Sequence, residues 1–111
     1  MIYFVEIWNA KPALLALSVE ERGAYMANIG PHIQDLLAKG VEVLTWSDNA
    51  TVTTKRAAYD YFAIWKFPDQ ATADGFQQLV DNVGWYNYFE QTNLMGEAAS
   101  AQEIIGQLIN L

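Results

Sequence analysis

The stretch "IYFVEIW", residues 2–8, is β-branched and aromatic throughout apart from one carboxylate, Glu6. That composition suits a strand. Alternation puts Tyr3, Val5 and Ile7 on one face and Phe4, Glu6 and Trp8 on the other. Neither face is polar throughout, so both should be covered. The strand is therefore expected to be central in its sheet, with a layer on each side.

The rest of the chain supplies partners for such a strand. Pro12 in "NAKPALLALS" opens a short helix, and Ser18 with Glu21 forms a capping box for a longer one running to about Lys39. Met26, Ile29, Ile33, Leu36 and Leu37 recur on it at helical spacing, while Gly30-Pro31 bends or interrupts it. Residues 41–47, "VEVLTWS", alternate as a second strand, and 48–57 is a polar connection. "AYDYFAIWKF", 58–67, is the clearest strand of the chain. Asp69 caps a helix over about 70–82 that carries Phe76, Leu79, Val80 and Val83 on one stripe, and Gly84 ends it. "GWYNYFE" follows, with Trp85, Tyr88 and Phe89 on one face of a single helical turn that plugs the end of the sheet. A last strand over about 90–96 and a helix capped by Ser100 and Glu103 complete the chain.

The order β-α-β-β-α-β plus a C-terminal helix predicts an α+β, ferredoxin-like fold: a four-stranded antiparallel sheet with two helices on one face. Right-handed crossovers place the first and third strands at its centre. Such a plan leaves one sheet face bare, and that face is expected to show Phe4 and Trp8, or Tyr61, Trp65 and Phe67. A monomer does not leave such a face in water, so two copies are expected to stack and share a barrel.

Composition agrees. At 111 residues the chain is expected to form one domain, residues 1–111, without a metal or disulfide staple. It is 52% hydrophobic and only 17% charged, which is rich in apolar groups for a small monomer. A net charge of −7 with six Lys and Arg argues against nucleic acid and anionic membrane surfaces as partners. There is no cysteine, which removes thiolate chemistry and disulfides. The N-terminus reads as a strand and not a signal peptide, so a cytoplasmic location is expected.

Two motifs carry a resemblance. "KPALLALSVEER" (11–22) and "GWYNYFE" (84–90) are similar to stretches of small bacterial proteins of unknown function, and darcynin-like proteins show a similar pair. Leu14 stands where Trp is commoner and Asn87 where Asp is. The element order as a whole resembles the dimeric α/β-barrel superfamily. That resemblance implies a homodimer, in a group that includes cofactor-free quinone-forming monooxygenases, muconolactone-type isomerases, haem-degrading enzymes, dye peroxidases and members with no known activity. It does not select a reaction.

The residues themselves offer few chemical groups. Glu6, mid-strand and expected to be buried, is a candidate general base, because burial raises a carboxylate's pKa. The bland account pairs it with Lys66 or Arg56, or lets it reach solvent at the barrel rim. His32, the only histidine, is a second candidate proton carrier or haem ligand, or else a surface residue beside a helix break. Trp46, Tyr61 and Trp65 are placed to wall a flat apolar or aromatic ligand, with Tyr88 and Asn93 offering hydrogen bonds. Core or dimer interface is their plainer role. No metal-ligand spacing, phosphate loop or Ser-His-Asp order is present, and no cofactor is expected. Cofactor-free monooxygenase or isomerase, non-enzymatic binding protein, and haem protein are the functions left open.

Overall fold

Strand β1, Ile2–Ala10, lies between two partners in the computed structural model, which describes residues 1–111. Around it run α1 Pro12–Leu15, α2 Val19–Ala27, α3 Gly30–Ala38, β2 Glu42–Asp48, β3 Tyr61–Phe67, α4 Gln70–Asn82, α5 Trp85–Tyr88, β4 Phe89–Glu97 and α6 Ala101–Ile109. The sheet is antiparallel throughout, in the order β2-β3-β1-β4. This is the expected ferredoxin-like α+β plan, with the first and third strands central. No helix is long and apolar enough to cross a membrane.

Local chemistry accounts for the element ends. The Ser18 hydroxyl accepts from the Glu21 N–H while the Glu21 carboxylate accepts from the Ser18 N–H, and Ser100 with Glu103 repeats the arrangement. The expected long helix is divided into α2 and α3, with Pro31 in the first turn of α3, where its missing N–H costs nothing. Asp69 accepts from the Thr72 N–H at 2.7 Å and starts α4. Gly84 lies in the left-handed region (φ +72°), which lets the chain turn from α4 straight into α5.

Two expectations need correction. Strand β3 begins at Tyr61 and not at Ala58. The backbone of 58–60 is taken by side chains instead: Asn9 donates to Ala58 O and accepts from the Asp60 N–H, and Arg56 donates to Tyr59 O. The second correction concerns the bare face. Register pairs Ile2 with Phe67, Phe4 with Trp65 and Trp8 with Tyr61, so all the large aromatics expected on the bare face lie under the helices. There Phe4, Trp8, Trp65 and Phe67 meet Phe76 and Val80 of α4 and Leu36 of α3 in one core, while Tyr61, at the strand end, stays 42% exposed. The bare face carries Tyr3, Val5 and Ile7 with Phe62 and Ile64, all only half buried.

Helix α6 leaves Ile104, Ile105, Leu108 and Ile109 exposed. The radius of gyration, 16.1 Å, exceeds the roughly 13 Å of a compact domain of this length. A single copy therefore leaves both α6 and one sheet face without cover.

Candidate functional site

Glu6 projects from the middle of β1 to the helix side and is 5% exposed. Its neighbours across the sheet are Ala63 of β3 and Asn93 of β4. Ala63 is small, and the space beside it admits the indole of Trp65. Trp65 Nε1 donates to Glu6 Oε1 at 2.7 Å, and Gln91 Nε2 donates to Glu6 Oε2 at 2.7 Å. No cation reaches the carboxylate. Lys66 lies 3.7 Å from Glu42 and Arg56 lies 3.7 Å from Asp60, which rules out the pairing that would have made Glu6 a plain structural ion pair.

Burial pushes the Glu6 carboxyl above its ordinary value, and the hydrogen bonds from Gln91 and Trp65 only partly oppose this. The folded chain therefore holds the Glu6 proton more tightly than the unfolded chain does. Its favourable contribution to stability is fully present below pH 4.5, the unfolded value, and is lost as pH rises through the raised folded value. In urea titrations, the stability of wild type relative to Glu6→Gln should fall as pH rises across that window. A difference independent of pH would show that Glu6 is not perturbed.

Beside Glu6 a cavity of about 50 Å³ opens between sheet and helices. Three tryptophans, Trp46, Trp65 and Trp85, stand in its wall with Phe76 and aliphatic residues of α3 and α4, and Glu6 and His32 are its only titratable members. Trp8 joins the ring behind them, edge-on to Trp46 at 5.4 Å and to Trp85 at 6.0 Å. All four tryptophans of the chain thus gather round one carboxylate. At about 10–15 Å³ for each water the enclosed part of the cavity holds a few waters, and because the cavity is open on one side a larger ligand would rest partly in its mouth.

The other candidates divide. His32 enters the wall from α3 because the helix restarts at Gly30, which puts Ile29, His32, Ile33 and Leu36 on the side facing the sheet. Trp46 and Trp65 line the cavity as expected. Tyr61 does not; it stacks on Trp8 with ring centroids 6.1 Å apart. Tyr88 is elsewhere, edge-on to Tyr25 at 4.8 Å. Asn93 is exposed and meets the site only through Gln91, whose Nε2 it accepts at 2.8 Å. Within "GWYNYFE", Trp85 forms cavity wall and stacks on Phe89 at 3.9 Å, so the turn serves core and cavity together. Gln91 has no counterpart among the residues singled out from the sequence. Its role depends on the register of β4 against β1, which no local pattern displays. No three His, Cys, Asp or Glu side chains come together in a metal-binding group.

A family model described as a family of unknown function (DUF6616) matches residues 1–111. The chain belongs to this family. No curated protein matches it. Among solved structures it is similar to a putative chlorite dismutase, at 16% identity and a TM-score of 0.67, over 96% of this chain and 47% of that one. It therefore spans about half the length of that protein. It is also similar to a protein of Arabidopsis thaliana, at 7% identity and a TM-score of 0.62, covering 91% of this chain and 98% of that one. A dabb family protein with a ferredoxin-like fold from Mesorhizobium loti aligns at 16% identity and a TM-score of 0.50, over 89% and 97% of the two chains. At these identities the likeness concerns the fold, and it agrees with the topology of this DUF6616 member.

Proposed function

We propose that the chain is a homodimeric small-molecule protein whose cavity takes an apolar or aromatic ligand bearing one O–H or N–H donor. Glu6 accepts that proton, and the reaction class is cofactor-free isomerisation or oxygenation, carried out in the cytoplasm. One observation carries this reading: a buried carboxylate without a cation, held by two neutral donors, at the wall of a tryptophan-lined cavity. Burying a carboxylate without a cation costs several kcal/mol or raises its pKa, which is the environment that poises a general base. The absence of Lys and Arg from the wall disfavours anionic ligands. His32, which lines the same cavity, would relay the proton. The two motifs with darcynin-like resemblance fall in α1–α2 and α5, and α5 is the turn that supplies Trp85.

Phenol is a simple aromatic ring with one such donor, and anisole is its methyl ether, which lacks it. Phenol should change the tryptophan fluorescence saturably, and anisole should bind at least about tenfold more weakly, the worth of one hydrogen bond to a charged group. Glu6→Gln should remove most of that preference. Equal responses to phenol and anisole would discard the reading. A non-enzymatic binding protein is the second reading, favoured by the presence of only one other titratable group, His32, in the wall. It predicts the same phenol preference with no turnover of any bound ligand.

A further inference from the structure

The Gln91 amide meets Glu6 in an orientation that its other neighbour dictates. An indole N–H only donates, so the Gln91 atom 2.8 Å from Trp85 Nε1 is its carbonyl oxygen, Oε1. The NH2 group must then be at the opposite end, 2.7 Å from Glu6 Oε2 and 2.8 Å from Asn93 Oδ1. Trp65 Nε1, at Glu6 Oε1, is likewise a donor with no capacity to accept. Both hydrogen bonds that the protein makes to Glu6 therefore favour the ionised form. A proton on Glu6 finds no acceptor in either partner, and the open direction is the cavity that Glu6 lines.

We propose that Gln91, clamped by Trp85, is a positioning residue that holds Glu6 as a proton acceptor and confines its proton exchange to the cavity. This rests on the reading of Glu6 given above. The clamp also explains the crowding of "GWYNYFEQ": Trp85 and Gln91 lie six residues apart, and the turn of α5 into β4 brings the indole N–H back onto the amide. Glu6 faces few other charges. From α3 comes His32. From β2, β3, α4 and α5 come Trp46, Trp65, Phe76 and Trp85, none of which titrates, and from β4 come Gln91 and Asn93.

The test is a pH titration of the full chain followed through the indole N–H resonances, with Trp65 assigned by its loss in Trp65→Phe. Wild type should show a step at the Trp65 indole that is absent in Glu6→Gln. Gln91→Leu keeps most of the volume but not the donor, and should move that step up by about one pH unit, the equivalent of one charge-assisted hydrogen bond. Trp85→Phe frees the amide to turn and should move it in the same direction by less. Both shifts should persist in a His32→Gln background. A Gln91 that served only packing would lower stability and leave the step in place, so an unmoved midpoint in Gln91→Leu overturns the proposal. If Gln91→Leu does not fold, an unmoved midpoint in Trp85→Phe overturns it equally. Failure of the Glu6 reading is a separate result: phenol binding indifferent to Glu6→Gln, whatever the midpoints do.

Discussion

Trp65→Ala should lower the stability of the fold by about 3–5 kcal/mol, and by more if Glu6 is left short of a donor. The side chain is 1% exposed and sits between Phe67, at 6.3 Å, and Phe76, at 4.8 Å, with Trp46 edge-on at 6.2 Å. Truncation removes one of the three tryptophan rings of the core and the hydrogen bond to Glu6 Oε1 together. Domains of this size have about 5–15 kcal/mol to lose. The melting temperature should therefore drop by something on the order of 15 °C. Trp65→Phe separates the two contributions, since it keeps a ring and removes only the donor. Urea unfolding of the three proteins measures both. A cost below about 1 kcal/mol for Trp65→Ala would mean that the core collapses around the gap, and that the site does not depend on this indole.

Ile64→Asp should turn a dimer into a monomer, weakening association at least about a thousandfold, some 4 kcal/mol. Ile64 pairs with Val5 on the central strands, in the middle of the face that no helix of the same chain covers. If two such faces stack, each copy buries an aspartate against apolar groups with no cation to meet it. If the face is instead simply wet, the substitution should change stability by no more than about 0.5 kcal/mol. Native mass spectrometry or sedimentation at micromolar concentration distinguishes these outcomes. A wild-type monomer would refute the shared-face argument outright.

Much of this molecule was legible in its sequence because the strong signals are local. Periodicity placed α4 and β1, caps at Ser18, Asp69 and Ser100 placed helix starts, and the element order gave the sheet topology. Glu6 stood out because one carboxylate interrupts an apolar strand. What escaped was set by register. Whether Phe4 and Trp65 face helices or solvent depends on which residue of β3 opposes which residue of β1, and alternation is the same in either case. Gln91 was silent for the same reason. Tyr88 lies against Tyr25 and away from the cavity wall, and its helical spacing could not show this, because spacing says which face an aromatic shares and not what that face meets.

The capping box of α6 satisfies its first turn, but nine residues are too few for a solitary helix to persist in water. Its apolar stripe has no large surface of its own chain to lean on. The amides of 101–109 should then exchange with solvent quickly in a dilute, isolated copy and slowly once another molecule lies across them. Helicity at this end of the chain thereby becomes a gauge of concentration, and ordering α6 is part of the entropy that any assembly must overcome.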